Sequence, residues 1–208
     1  MTETENETTK IRIPRQERSI KTKEAILQAA MELFSEKGYH GTNTKEIAAA
    51  AGVSTGSFYS YYKDKRAVFL DSLSIYFNTL LERIEAYLAG INFSTMDKHE
   101  MIREVIDSLI YSHQVFTGFH KELQVMYHSD PEVQLLMDEQ FDLGRRKTLE
   151  YLLMNSEELK VDNVEAASIV MFEAINSVVD MLVFSPQKVD DDLIKNELAK
   201  MLVNYLYL

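Results

Sequence analysis

The sequence predicts an all-helical protein, and three observations carry that prediction. Only three prolines and seven glycines punctuate the 208 residues, so long segments run without a breaker. Along almost every such segment apolar residues recur at i, i+3, i+4 and i+7, the period of a helix with one buried face. Hydrophobic residues make up 46% of the chain, enough to build a proper core at this length. About nine helices are expected.

The first spans Lys21 to Lys37, where Ile26, Ala29, Ala30, Leu33 and Phe34 form one stripe and Gly38 supplies a C-terminal stop. A short second helix comes at once. Asn43 and Glu46 have capping-box spacing, with Thr44 as the competing cap; Ile47, Ala48 and Ala51 give its buried face, and Gly52 ends it. Ser54 restarts the helix within a few residues. A longer helix runs from Asp64 to about Ala89, with Val68, Leu73, Phe77, Leu80, Leu81 and Ile84 mostly inward and Gly90 closing it. The remaining helices are Lys98 to Phe116, Phe119 to His128, Pro131 to Met154, Val164 to Phe184 and Asp191 to Leu206. Pro131 suits a first helical turn, and Pro186 a break between the last two helices.

Composition removes several classes of function. The chain has no cysteine, which excludes a disulfide framework, a thiolate zinc site and a cysteine nucleophile and fits a reducing cytoplasm. The stretch MTETENETT is polar and acidic, unlike a signal peptide. The longest apolar stretch, SIVMFEAINSVVDMLVF, is interrupted by Glu173 and Asp180 and falls short of the roughly 20 residues of a membrane span. A soluble, cytoplasmic protein with no membrane partner is expected.

The overall charge of -11 is unevenly spread. Residues 10–70 carry 11 Lys/Arg against 6 Asp/Glu, whereas residues 71–208 carry 11 against 24. Only the first third suits a polyanion. Solubility of acidic helices is the plainer explanation of the split.

Two short helices joined by a tight turn with a glycine form a helix-turn-helix candidate. Alanines at 48 to 51 let the helices cross closely, and Gly52 gives the turn its backbone freedom. In such a motif the start of the second helix enters the major groove. Residues 54–62, STGSFYSYY, suit that role. On a 3.6-residue period Phe58 and Tyr62 share an anchoring face, leaving Thr55, Ser57, Tyr59 and Ser60 exposed with Tyr61 beside them. Burial of all four aromatics in the core is the competing reading. It would require partners for the hydroxyls of both Tyr59 and Tyr61.

The stretch from about 22 to 70, above all TNTKEIAAAAGVSTGSFYSYYKDKRAVF, resembles the DNA-binding domain of TetR-family transcriptional repressors. The resemblance rests on Thr44, Ile47-Ala48, Ala51-Gly52-Val53-Ser54, Gly56, Phe58, Tyr59, Tyr62 and Lys65. Tyr62 departs mildly from it, since Phe is commonest there. The resemblance implies that Thr44, Lys45, Thr55, Gly56, Ser57, Tyr59, Tyr61 and Lys65 face DNA, mostly its phosphates. It implies three parts: a disordered basic arm over 1–18, a three-helix DNA-binding domain over 19–66, and an effector-binding and dimerisation domain over 67–208. Lys10, Arg12, Arg15 and Arg18 of the arm, with Lys21 and Lys23 just after it, add positive charge for phosphate or minor-groove contacts; a solvated tail is the alternative.

The resemblance further implies a homodimer formed through the last two helices. Met171, Ile175, Val178 and Leu182 on one, and Leu198, Met201, Leu202 and Tyr205 on the other, make apolar stripes suited to a four-helix interface. Packing within one chain would explain either stripe alone. A small-molecule pocket is implied as well. Around a helix break at Gly118 the candidate lining is Phe116, Phe119, His120, Leu123, Met126, Tyr127, Phe141, Phe172 and Asn176, suited to a mostly apolar or amphipathic effector. Neither a metal nor a cofactor is expected. His113, His120 and His128 lack the close spacing of a metal pair, and Asp190, Asp191 and Asp192 complement a helix dipole.

The expected function is that of a ligand-responsive repressor, binding a pseudo-palindromic operator as a dimer and released by a small molecule. The alternatives are a helical protein-interaction module and a small all-α enzyme. Against the enzyme stands the lack of a phosphate-cradling glycine loop, a nucleophile elbow or a Ser/His/Asp cluster.

Overall fold

The computed structural model describes residues 17–90, 92, 96–114, 116–154 and 156–207. Among them are nine α-helices: α1 (Glu17–Gly41), α2 (Thr44–Ala50), α3 (Thr55–Tyr59), α4 (Lys65–Ala89), α5 (Lys98–His113), α6 (Thr117–Tyr127), α7 (Pro131–Met154), α8 (Val164–Phe184) and α9 (Asp191–Leu206). The chain divides into two compact units. The first runs up to Tyr76 and takes in Gly118–Glu122; the second holds Phe77–Thr117 and the chain from Leu123 onward.

In the first unit Ile26, Ala30 and Phe34 of α1, Ile47 and Ala48 of α2, Phe58 of α3, and Val68, Phe69 and Leu73 of α4 are buried together as the core. α1 starts four residues before Lys21. The arm expected over 1–18 therefore loses Glu17 and Arg18 to the helix, while residues 1–16 lie outside the described residues. Gly38 has φ +74°, so the regular part of α1 stops there as expected and 39–41 form a separate turn.

Asn43, and not Thr44, caps α2: its side chain accepts from the Lys45 and Glu46 amides, and the Glu46 carboxylate accepts from the Asn43 amide. Lys37 and that Asn43 amide hold the Glu46 carboxyl below its ordinary pKa. Gly52 (φ +68°) turns the chain, and Ser54 caps α3 by accepting from the Ser57 amide at 3.0 Å. Only residues 55–59 are regular helix. The Tyr61 and Tyr62 amides still bond to the Phe58 carbonyl, which carries the helical facing on to Tyr62.

The second unit packs Ile102 and Ile106 of α5, Leu152 of α7, Ala167, Met171, Ile175 and Val179 of α8, and Leu198, Ala199, Leu202 and Leu206 of α9 into one apolar core. Arg103, Asp107, Asp192 and Lys195 form an ion-pair cluster joining α5 to the start of α9. Within the acidic run, Asp190 caps α9, and Lys195 and Arg103 lower the carboxyl pKa of Asp192. At 21 residues α8 is long and apolar enough to cross a membrane by length and composition, contrary to the expectation from the apolar stretch alone. Its buried face is part of the unit's core.

Three local expectations change. Leu81 is exposed, whereas Phe69 and Tyr76 on the same helix are buried. α5 stops at His113, three residues short of Phe116. Gly118 is not the break but the second residue of α6, where a Cβ would lie 2.8 Å from the Ser35 Cβ and 2.9 Å from the Ser35 carbonyl oxygen. Glycine is required there because two backbones meet.

Candidate nucleic-acid interface

The α2–turn–α3 segment is fixed by hydrogen bonds from side chains that the sequence places far apart. The Tyr59 ring stands edge-on to Phe58, and its hydroxyl lies 3.0 Å from the Thr44 hydroxyl at the start of α2. Phe58 is fully buried while Tyr59 keeps 41% of its surface exposed. The expected division between an anchoring and an outward aromatic is therefore present for this pair. Lys45 and Gly56 are exposed, and Thr44, Thr55 and Ser57 are half-buried on the same segment. A Cβ on Gly56 would meet only the Ser54 hydroxyl, at 3.9 Å. Nothing inside the chain demands glycine there.

Two residues expected to face outward are held inward. Tyr61 is half-buried, with its hydroxyl 3.0 Å from the hydroxyl of the buried Ser19 on α1. Lys65 donates to the carbonyls of Tyr39 at 2.5 Å and Thr42 at 2.8 Å, and its ammonium sits 4.2 Å from the Tyr39 ring centroid. Burial lowers its pKa, with Glu122 opposing that shift. It caps the end of α1, where carbonyls lack helical partners.

Tyr62 is buried as expected, and its hydroxyl is used too: it donates to Asp71 at 2.6 Å. Burial and the Asp71 carboxylate raise its pKa well above the ordinary phenol value. Lys23 pairs with the same carboxylate at 2.6 Å and lies 5.7 Å from the Tyr62 ring centroid. Lys23 of the basic stretch is thus a packing residue, and Lys21 pairs with Glu17 at 2.7 Å. The internal roles of Ser19, Lys23 and Asp71 had no signal in the sequence, since each acts across a separation that no local spacing encodes. A shallow hollow of about 520 Å³ runs between Arg18, Lys21 and Thr22 of α1 and Ala51, Gly52 and Val53 of the turn.

The expected effector lining draws on both units, Phe119 and His120 falling in the first and the other seven residues in the second. Phe119 and His120 belong to the core of the first unit. Phe119 packs on Phe69 and Tyr76, and the His120 Nδ1 lies 2.6 Å from the Tyr76 hydroxyl. Leu123 and Met126 are buried, while Phe116, Tyr127, Phe141 and Asn176 are half-buried. Tyr127 donates to Asp138 at 2.9 Å. Phe172 covers Gly144, where a Cβ would overlap the ring. A second shallow hollow, about 610 Å³, lies along Gln187–Asp192 and Lys195. Neither hollow touches any of these nine residues.

The expected dimer stripe also divides. Met171, Ile175, Leu198 and Leu202 are buried inside the chain's own core, because the inward faces of α8 and α9 pack on α5 and each other. Val178 and Leu182 are half-buried. Met201 is 52% exposed, and Tyr205, Leu193, Ile169 and Val170 are exposed with it.

Residues 26–71 match the family described as bacterial regulatory proteins, tetR family, and residues 99–206 match the tetracyclin repressor-like C-terminal domain. The chain belongs to the TetR family. It is a family of transcriptional regulators and not of enzymes. The chain is 39% identical over 59 residues to the uncharacterized HTH-type transcriptional regulator YuxN of Bacillus subtilis, a match covering 28% of this chain and 20% of YuxN. It is 25% identical over 186 residues to the fatty acid metabolism regulator protein of the same organism, covering 88% of this chain and 94% of that protein. The chain spans a fifth to a half of the length of several other curated relatives it matches. The fold is that of a TetR-family regulator structure from Mesorhizobium loti, with a TM-score of 0.73 at 18% identity over 93% of this chain and all of that one.

Proposed function

We propose that the protein is a repressor that binds a pseudo-palindromic operator as a homodimer and is released by a small, mostly apolar or amphipathic effector. The observation that carries this reading is the α2–α3 surface. There an exposed Tyr59 is held by Thr44, next to a Gly56 whose lack of a side chain serves nothing within the chain. Hydroxyls and close backbone approach suit phosphate oxygens and the groove floor. Thr44, Lys45, Thr55, Gly56, Ser57 and Tyr59 are the contact set, with Tyr61 and Lys65 supporting it from behind.

The second copy covers the outward faces of α8 and α9, through Ile169, Val170, Met201 and Tyr205. Two such helices from each copy give a four-helix interface. The likeness to a fatty acid metabolism regulator, over 88% of this chain, favours an acyl compound as effector. To carry the equilibrium from 1:99 to 99:1 the effector must favour the DNA-free state by about 5.5 kcal/mol.

Footprinting upstream of the protein's own gene should show a protected two-fold site. Tyr59→Ala should lose that site in a gel-shift assay while remaining a folded dimer by circular dichroism and sedimentation. Wild-type affinity in the variant would remove the α3 surface from the interface.

A further inference from the structure

The DNA-binding motif hangs on the elbow between α1 and α2, and a side chain from α6 grips that elbow. At Gly38 the backbone turns left-handed and leaves the regular helix. The next amide, that of Tyr39, donates to the Glu122 carboxylate at 2.6 Å, and the position of a Cβ on Gly38 would lie 3.1 Å from the same carboxylate. The carbonyls of Tyr39 and Thr42 are held by Lys65. Thr42 is buried and closes the turn by donating to the Gly38 carbonyl at 2.9 Å. Four residues before Glu122 on α6 stands Gly118, whose backbone abuts Ser35. The buried Phe119 lies between them in sequence, packed on Phe69 and Tyr76. With His120 bonded to Tyr76, four of the five residues 118–122 thus make close contacts inside the first unit, and the family match that defines the DNA-binding domain ends long before them.

We propose that Glu122 is a positioning residue for operator binding, its carboxylate fixing the Tyr39 amide and with it the angle at which α2 and α3 are presented. The inference rests on the DNA-binding reading above. Glu122 touches no DNA in this scheme. A carboxylate packed among the residues of the basic first third opposes phosphate binding by its charge, so removing the charge alone should tighten operator binding. Loss of the clamp should do the reverse. The two effects differ in sign.

Operator affinity of the full-length protein, measured on the footprinted site by fluorescence anisotropy, separates them. Glu122→Ala and Glu122→Gln remove the same charge, but only Gln keeps an oxygen that can accept from Tyr39. Alanine should weaken binding about tenfold, the worth of a hydrogen bond to a charged group, and Gln should regain most of that loss. Gly118→Ala, which pushes α6 off Ser35, should weaken binding in the same direction. Amide hydrogen exchange in the free protein supplies a readout that needs no DNA: the Tyr39 amide should exchange about tenfold faster in Glu122→Ala than in wild type. Unchanged Tyr39 exchange, or alanine and Gln variants that bind operator alike, overturns the proposal. A wild type that selects no DNA site while Tyr39 exchange does respond overturns the functional reading, and the role in operator binding with it.

Discussion

The surroundings of α3 and those of α8 and α9 are built by different means. Around α3 the deciding contacts are polar and long-range: Thr44 with Tyr59, Ser19 with Tyr61, Asp71 with Tyr62 and Lys23, and Lys65 with two carbonyls. Between α8 and α9 the contacts are apolar, a continuous stripe from Ala167 to Val179 against Leu198 to Leu206. Hydrogen bonds fix distance and angle, whereas apolar burial is non-directional and scales with area. A surface that must match a groove needs the first kind of restraint. A bundle that must accommodate a partner or an effector can be held by the second.

The largest effects should come from cavities, and they separate the two regions by what else is lost. Phe58→Ala should cost about 3–5 kcal/mol and Leu202→Ala about 2–5 kcal/mol in urea unfolding, since both side chains are fully buried. Only Phe58→Ala should also abolish operator binding by the protein that remains folded. Leu202→Ala should leave the dimer intact in sedimentation, while Met201→Glu should give a folded monomer. If Leu202→Ala dissociated the dimer instead, α9 would be meeting its partner with the other face.

Tyr62→Phe removes one hydroxyl and keeps the ring. Because the acceptor is a carboxylate, the change should cost about 1.5–3 kcal/mol with circular dichroism unchanged. A smaller effect is expected at the α2 cap. Asn43→Ala should cost about 1 kcal/mol, visible as a lower urea midpoint, and should weaken operator binding more than its effect on stability alone would.

The smallest effect tests the apolar unit. Burial raises the Asp180 carboxyl pKa above its ordinary 3.8, and His113 only partly opposes the shift. The folded state therefore holds this proton more tightly than the unfolded one. The resulting stability is fully present below the ordinary value and is lost as pH rises through the folded value. Asp180→Asn should remove that loss. The melting temperature of wild type should fall relative to the variant as the pH is raised from about 4, and parallel curves would show that the carboxylate is accommodated at no cost.

The helices of the second half were legible because their boundaries are local chemistry. Pro131 and the acidic run Asp190–Asp192 mark starts, Pro186 marks a break, and the spans Pro131–Met154, Val164–Phe184 and Asp191–Leu206 coincide with the observed elements. The short helices of the first unit were legible for the same reason, through the Asn43–Glu46 box and the Gly52–Ser54 restart. The anchoring of Phe58 and Tyr62 was legible as well, because a 3.6-residue period links facing to spacing alone.

What the sequence by itself determined, then, was the helical class, the motif and the family, since caps, turns and periodicity act within a few residues. Tertiary structure alone decided which side of each apolar stripe is spent inside the chain: Met171 and Leu202 inward, Ile169 and Met201 outward. It also decided that Tyr61, Lys65 and His120 serve as internal partners, and that Glu122, 83 residues from Tyr39, closes the elbow beneath the recognition motif. Those choices depend on which surfaces meet after folding, and a one-dimensional period is the same for a stripe that packs on its own chain and one that packs on another.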